Sequence, residues 1–141
     1  MPGKLLGVGK MIDTLRKVAD KFPDLVGAAL YREGQIEMTE AKRRTPVDTR
    51  PNQSYPYTRA PHPGQLRNSG LVHPPERRGQ RISVTLSFGG AASDYAVHVH
   101  ENPDAHHPIG QWKYLESVLD ESASHMAARI ARRVDLNKMK V

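Results

Sequence analysis

The sequence predicts an α+β domain: a long N-terminal helix, a small, mostly antiparallel β-sheet and a long C-terminal helix packed on the sheet. Three observations support this. Apolar residues recur at helical spacing near both ends of the chain, apolar residues alternate between positions 81 and 100, and a proline-rich stretch precedes the alternation. At 141 residues the chain has the length of one domain. We expect a single domain over 1–141, with a flexible N-terminus at 1–10, an inserted loop or arm at 50–63 and a flexible tail at 136–141.

The N-terminal helix is predicted from two apolar stretches. The first has five apolar residues at the spacing of one helical face: Ile12, Leu15, Val18, Ala19 and Phe22. Pro23 suits the first turn of a new helix, so we expect a kink or break near Phe22–Pro23. The second stretch continues over 24–44 and ends on three basic residues before Pro46, which stops the helix. Gly27 and Gly34 each weaken it by about 1 kcal/mol relative to Ala.

Regular structure is not expected between Thr45 and Pro75, because this stretch contains seven prolines. An extended arm or loop is predicted there, and ordering it costs entropy unless a partner holds it. Tyr55, Tyr57 and Arg59 lie in the arm. Their side chains could stack on nucleic-acid bases, but Tyr and Arg are also common anchors of protein interfaces. We favour contact between subunits.

Two strands are predicted next. Arg81 to Phe88 alternates apolar and polar residues, and a glycine-rich turn follows it. Tyr95, Val97 and Val99 would form the apolar face of a second strand, which leaves His98 and His100 on the opposite face. Residues 71 and 72 are candidates for a third, short strand.

The C-terminal helix has the clearest pattern. Six apolar residues keep helical spacing over more than 20 positions: Trp112, Leu115, Leu119, Met126, Ile130 and Val134. Acidic residues lie towards its front half and arginines at its back, which matches the helix dipole.

Composition limits the possible functions. There are no cysteines, so disulfides, thiolate metal sites and cysteine nucleophiles are excluded. A hydrophobic fraction of 38% and a mean hydropathy of −0.62 predict a thin core, which often accompanies burial against other copies of a chain. No apolar run reaches the roughly 20 residues of a membrane span. The formal charge of +6 is compatible with proximity to DNA, although the basic residues are dispersed.

Catalytic and metal-binding patterns are incomplete. His98, His100, Glu101, His106 and His107 are close in sequence and could begin a metal site. However, H-E-x-x-H is missing, and the histidine–glutamate spacing of cupins is absent. The alternative is that these side chains are polar groups around a loop or a subunit interface. Neither a G-x-S-x-G elbow nor a dinucleotide fingerprint occurs. We therefore expect no metal, no cofactor and no enzymatic activity.

Four motifs occur in a distinctive order. They are Thr45-Pro-Val-Asp-Thr49 after a basic helix end, Gly64-Gln-Leu-Arg-Asn-Ser69, Tyr95-Ala-Val-His-Val-His-Glu101, and Gly110 with the helix that starts Lys113-Tyr-Leu-Glu. This order resembles the tail-completion or minor-capsid family of tailed phages, whose members lie at the head–tail junction. The resemblance covers roughly residues 25–135. The family usually joins D-T directly to G-x-L-R, so residues 50–63 are an insertion here.

The resemblance implies a ring-forming structural protein of the virion neck, such as a tail terminator or head–tail connector, assembled in the host cytoplasm. A minor capsid or tail-tube protein is the alternative within this class. The alternatives from other classes are a metal-dependent hydrolase that uses the His98, His100 and Glu101 cluster, and a basic DNA-binding module. The implied partners are further copies of the chain, most often as a hexamer, neighbouring neck, portal-side and tail-tube proteins, and genomic DNA that passes without sequence-specific binding. We expect subunit contacts from the arm and from the junction before the last helix: Tyr55, Tyr57, Arg59, Tyr95, His100, Glu101 and Trp112. Packing within the chain is the alternative for the last four.

Overall fold

A computed structural model describes residues 8–47, 64–90, 93–104 and 109–134. Its elements are α1 (Val8–Arg44), α2 (Gln65–Asn68), β1 (Leu71–Val72), β2 (Glu76–Arg78), β3 (Arg81–Ser83), β4 (Leu86–Ser87), α3 (Ser93–Glu101) and α4 (Glu116–Arg133). The predicted α+β class is confirmed. α1 contacts α4 and also the small antiparallel sheets, so it joins the helical and the β parts of the domain. Among the described residues, no helix has the length and apolar character needed to span a membrane.

Helix α1 is continuous over 37 residues with Pro23 inside it, so a break near Phe22–Pro23 is wrong, and a kink at this point stays a prediction. A proline in a helix interior removes one backbone hydrogen bond. Contacts with the β part occur at this point: Phe22, Pro23 and Val26 line a groove of about 330 Å³ together with Gln80 and Ile82. The β part therefore packs against α1 at the turn that Pro23 weakens.

The four strands form two two-stranded antiparallel sheets that follow one another along a hairpin, residues 71–87, which we call the ribbon. Strand β1 pairs with β4 (Leu71↔Ser87), and β2 pairs with β3 (Arg78↔Arg81). Between the two ladders, residues 73–75 stand opposite residues 84–85, so one side carries an extra residue, as in a β-bulge. At the tip, Gly79 has a φ of 63°, which the first loop residue of a type II′ hairpin requires.

The ribbon corrects two predictions about strands. The expected single strand over residues 81–88 is two short strands, β3 and β4, interrupted at residues 84–85. Strand β2 was not expected, because its residues Glu76 to Arg78 are polar and all exposed. The short strand at residues 71–72 is confirmed as β1.

The predicted second strand is wrong, because Ser93–Glu101 forms helix α3. Ala96 and Val99, three residues apart, are buried, whereas Val97 is 65% exposed. His98 and His100 therefore do not share a strand face. Short segments of this kind fit both periodicities, and packing around Ala96 and Val99 selects the helix.

Two glycines let the ribbon lie close to α1. A Cβ atom at Gly34 would be 3.0 Å from Val72 Cγ1 and 3.2 Å from Val84 Cγ1. A Cβ at Gly27 would be 3.2 Å from Pro75 Cβ. Glycine lowers the helix propensity at these two positions, but a larger residue would keep the ribbon from packing this closely against α1.

The apolar core is thin, as predicted. In the described part of the chain, eight apolar residues are buried, and three of them are alanines. Several large apolar side chains remain exposed: Phe22, Ile36, Leu71, Val97, Ile109 and Trp112. The core that does form is centred on Leu66, Ala96, Val99 and Tyr114.

Candidate functional site: the motif cluster

The four motifs, which are far apart in sequence, meet in one part of the domain. We call this region the motif cluster and define it by Thr45, Leu66, Arg67, Ser69, Ala96, Val99, His100, Gly110 and Tyr114. Its apolar centre consists of one residue from the second motif, two from the third and one from the fourth, and it is flanked by Phe88 and Leu115. Hydrogen bonds connect the polar residues around this apolar centre.

The first and second motifs are joined at the end of α1. Thr45 is fully buried, and its hydroxyl donates to the Ala41 carbonyl at 2.8 Å. The Thr45 carbonyl accepts a hydrogen bond of 3.0 Å from the Arg67 guanidinium. Carbonyl groups at a helix C-terminus have no partner within the helix, so Arg67 satisfies one of them and adds a favourable charge.

The second motif also holds the end of the ribbon. The Ser69 hydroxyl donates to the Leu66 carbonyl at 2.6 Å and accepts from the Gly89 amide at 3.0 Å. A Cβ at Gly70 would lie 2.7 Å from Met38 Sδ and 2.8 Å from Phe88. The glycine therefore lets the chain pass between α1 and the core.

Tyr114, at 1% exposure, is the central side chain of the cluster. Its ring lies edge-on to Phe88, with centroids 5.0 Å apart, and edge-on to His100, with centroids 4.9 Å apart. Its hydroxyl donates to the Ala96 carbonyl at 3.3 Å. Edge-to-face rings and a satisfied hydroxyl are what a buried tyrosine requires.

The segment before α4 is fixed to the end of α1 by its backbone. The Gln111 amide donates to the Arg44 carbonyl at 2.9 Å, and the Val47 amide donates to the Ile109 carbonyl at 3.3 Å. Gly110 has a φ of 92°, and a Cβ there would lie 2.5 Å from the Pro46 nitrogen. Only glycine fits this crossing.

His100, Glu101 and Glu116 form a polar group beside Tyr114. The His100 Nδ1 atom lies 2.6 Å from a Glu101 carboxylate oxygen, and its Nε2 atom accepts a long hydrogen bond of 3.5 Å from the Glu116 amide. The Lys113 amide donates to the His100 carbonyl at 2.8 Å. In this arrangement the His100 imidazole joins α3 to the start of α4 through contacts at both ring nitrogens.

The same group is the metal-site candidate within the described residues. One ligand atom from each of His100, Glu101 and Glu116 lies within 4.8 Å of the others. However, Lys113 Nζ is 2.8 Å from the Glu116 carboxylate. This hydrogen bond raises the pKa of Lys113 and lowers the pKa of Glu116. A divalent cation would have to displace that ammonium, so the geometry favours a network of side chains over a metal site.

The structure describes some of the predicted site residues and not others. Tyr55, Tyr57 and Arg59 lie outside the described residues, and so do His106 and His107. Tyr95 belongs to α3, but its side chain is outside the described part. His100 is half-buried in the cluster, whereas Glu101 and Trp112 are exposed at its rim. The ammonium of Lys113 lies 5.4 Å from the Trp112 ring centroid.

A second polar site, between α1 and α4, was missed by sequence reasoning. Glu33 and Glu37 are buried on α1, at 2% and 5% exposure. Arg129 of α4 donates to Glu33 at 2.7 Å and to Glu37 at 2.8 Å. Arg133 also pairs with Glu33, and Ser122 pairs with Glu37. The sequence did contain a signal for this site. Glu33 and Glu37 are four residues apart within an apolar helical pattern, so they share the helix face that packs in the interior.

Charge interactions in this network lower the pKa of Glu33. Burial raises the pKa of Glu33, but hydrogen bonds and charges from Arg129 and Arg133 outweigh it and bring that pKa below 4.5. Nearer the motif cluster, Arg44 binds Glu121 through two hydrogen bonds, of 2.8 and 2.7 Å, and contacts Glu40 at 3.0 Å. The hydrogen bond from Arg44 lowers the pKa of Glu121. Charged bonds therefore fix α4 along α1.

Comparisons with family models, with curated proteins and with solved structures found no match to this chain.

Proposed function

We propose that this chain is a structural virion protein of a tailed phage, a ring-forming component of the neck that joins the DNA-filled head to the tail as a tail terminator or head–tail connector. The convergence of the four motifs carries the proposal. Leu66, Ala96, Val99 and Tyr114 come from three motifs and make one core, while Arg67 joins the first motif to the second. The family resemblance thus concerns residues that act together in this fold.

The distribution of apolar residues also supports a structural role. Buried apolar residues are few in the part of the chain that the structure describes, and Val97, Ile109 and Trp112 are exposed around the junction before α4. Large exposed apolar side chains are typical of surfaces that become buried in an assembly. Neck proteins meet further copies of themselves and neighbouring neck proteins, which accounts for a domain that leaves such residues uncovered.

The charge of the chain suits the same place in a virion. Its formal charge is +6, and DNA passes through the channel of a neck ring. Dispersed positive charge lowers the electrostatic cost of placing a ring around DNA without reading its sequence. A DNA-binding module is the alternative that the positive charge would also suit. Among virion proteins, the alternative is a minor capsid or tail-tube protein.

A gene deletion tests the proposal. In the phage genome that encodes the chain, its deletion is expected to give DNA-filled heads and separate tails in electron micrographs, and expression from a plasmid is expected to restore joined particles. The empty plasmid serves as the complementation control. Joined, infectious particles in the absence of the gene would refute the neck assignment.

Mass measurement gives a second, independent test. Light scattering of the purified protein is expected to give a closed oligomer, with six times the 15.7 kDa protomer mass as the hexameric value. Binding to duplex DNA is expected to be weak and insensitive to sequence. Tight, sequence-dependent binding by a monomer would favour the DNA-binding rival.

A further inference from the structure

The ribbon tip, residues 76–81, carries a concentration of positive charge. It contains Arg77, Arg78 and Arg81 and a single carboxylate, Glu76, so its net formal charge is +2 over six residues. All six residues are exposed. The rest of the ribbon, residues 71–75 and 82–87, contains no lysine, arginine, aspartate or glutamate. The formal charge of the ribbon is therefore gathered at its end.

Two of these arginines face each other across the hairpin. In the register of β2 and β3, Arg78 is directly opposite Arg81, next to the loop at Gly79 and Gln80. Like charges directly opposite each other destabilise a pair of strands. Arg78 is 86% exposed and lies 3.6 Å from Glu76, whereas Arg81 forms no ion pair with a described residue. The repulsion between the two guanidinium groups is therefore largely uncompensated within the described part of the chain, and a bound anion would remove it.

The two faces of the tip have different surroundings. Side chains alternate along a strand and cross-strand partners share a face. One face is polar and exposed throughout, and it consists of Glu76, Arg78, Arg81 and Ser83. Arg77 is on the other face beside its partner Ile82, where both line the groove next to α1. No described residue that lines this groove is acidic, so the groove adds no negative charge to the tip.

The composition of the exposed face favours a nucleic-acid backbone over a protein surface as the partner. Protein interfaces have an apolar core that is often aromatic, and this face contains no apolar residue. Arginine binds phosphate groups through its charge and its paired N–H donors, which requires no apolar contact. Binding of single strands uses aromatic side chains on which the bases stack, and residues 76–83 contain none. The partner indicated is therefore a duplex.

We propose that the ribbon tip binds the phosphate backbone of duplex DNA, with Arg78 and Arg81 as the phosphate ligands and Arg77 as a flanking positive charge. A phosphate between the two opposed guanidinium groups replaces their repulsion by two attractions. Phosphate contacts carry no direct sequence information, so the site binds DNA of any sequence. The inference rests on the proposed neck function in one respect, since that function identifies the DNA as the genome that the ring encloses.

A matched pair of double variants of the full-length protein tests the site. The tip variant combines Arg78→Gln with Arg81→Gln, and the control variant combines Arg32→Gln with Arg132→Gln, which removes the same charge from exposed positions of α1 and α4. Fluorescence anisotropy with a short labelled duplex measures the affinity at several salt concentrations.

The tip variant is expected to lose about tenfold or more in affinity at low salt. The slope of log affinity against log salt should fall by about 1.8 per bound protomer, because each phosphate contact contributes about 0.9. The control variant should stay within about threefold of the unmodified protein, since salt screens charges that are far from the site. Equal losses in the two double variants, or no binding of duplex by the unmodified protein at low salt, would overturn the proposal.

A charge reversal separates loss of binding from loss of folding. Arg81→Glu changes the net charge by the same amount as the tip variant, but it places opposite charges across the hairpin from each other. Its thermal midpoint is therefore expected to equal or exceed that of the unmodified protein, while its affinity for duplex falls as in the tip variant. A lower midpoint would contradict the repulsion on which the proposal rests, and unchanged binding would refute the site.

An acidic peptide distinguishes DNA from a protein partner. Labelled poly-glutamate is expected to bind the unmodified protein more weakly than the duplex does, because it lacks phosphate groups that accept paired N–H donors. If the tip variant lost affinity for poly-glutamate but kept its affinity for duplex, the partner of the tip would be an acidic protein surface and the DNA assignment would be wrong.

The outcomes also separate this inference from the proposed function. If deletion of the gene leaves heads and tails unjoined but the tip variant binds duplex like the unmodified protein, the neck function stands and the DNA site is refuted. If the tip variant loses duplex binding but deletion leaves joined, infectious virions, the DNA site stands and the neck function is refuted.

Discussion

Arg129 in α4 donates a hydrogen bond of 2.7 Å to Glu33 in α1, across 96 positions of the chain. Glu33 is 2% exposed, and its second carboxylate oxygen pairs with Arg133. Packing of α4 along α1 therefore depends on a partly buried network of charges as well as on apolar contacts. A network of this kind specifies one alignment of the two helices, because a shift along the axis would leave a buried carboxylate unpaired.

The pH dependence of stability tests this network. Because the pKa of Glu33 in the fold lies below its ordinary value of 4.5, its contribution is complete above about pH 4.5 and is lost as the pH falls through the folded-state pKa. Glu33→Gln is expected to lower the free energy of unfolding at neutral pH by about 1–3 kcal/mol. The difference between variant and unmodified protein should shrink in acid, as followed by urea denaturation at several pH values. Glu76→Gln, at a surface pair in the ribbon, is the control. A Glu33→Gln effect that is constant from neutral pH to pH 3 would contradict the ionic role.

Replacing an aromatic residue by alanine tests whether its side chain belongs to the core of the motif cluster or to its surface. Tyr114→Ala is expected to cost about 3–5 kcal/mol of folding stability, because it empties the space between Phe88 and His100. Trp112→Ala removes a larger ring two residues earlier, but that ring is 39% exposed, so a smaller loss is expected. Thermal denaturation followed by circular dichroism compares the two. Equal losses would mean that Trp112 is also a core residue of the isolated chain.

Substitution of Gly34 tests the close approach of α1 to the ribbon. Gly34→Val is expected to destabilise the fold by about 1–3 kcal/mol, because the added atoms would overlap Val72, Val84 and Leu86. Ala28→Val, at an exposed position of the same helix, should change stability by less than about 0.5 kcal/mol. Chemical denaturation measures both. If Gly34→Val were as stable as Ala28→Val, the ribbon would not pack against α1 as described.

Zinc addition tests the metal-dependent alternative. The contact of 2.8 Å between Lys113 and Glu116 competes with any cation at the His100 group. A ligand that binds the folded state raises the thermal midpoint of unfolding. Because we expect no binding, zinc should leave this midpoint unchanged, as should magnesium, the control. Stoichiometric zinc by elemental analysis, lost on His100→Ala, would establish a metal site instead.

Several features of the fold were predictable from local pattern. The helical spacing over 24–44 and from Trp112 to Val134 predicted the two long helices, although α4 begins at Glu116 and not at Lys113. The short strand at residues 71–72 is confirmed. Pro23 was misread because a proline weakens a helix locally, whereas the long helix around it is held by tertiary contacts. The segment from Ser93 to Glu101 was misread because a short apolar run fits a strand as well as a helix.

By itself, the sequence determined the α+β class, the thin core and the residues that make up the four motifs. These follow from periodicity and composition, which act along the chain. The tertiary structure decided which distant residues meet: Tyr114 with Phe88 and His100, Arg67 with Thr45, and Arg129 with Glu33. It also decided that α3 is a helix and that Gly34 is a packing position. The physical reason is that burial and ion pairing depend on three-dimensional proximity, which no local pattern contains.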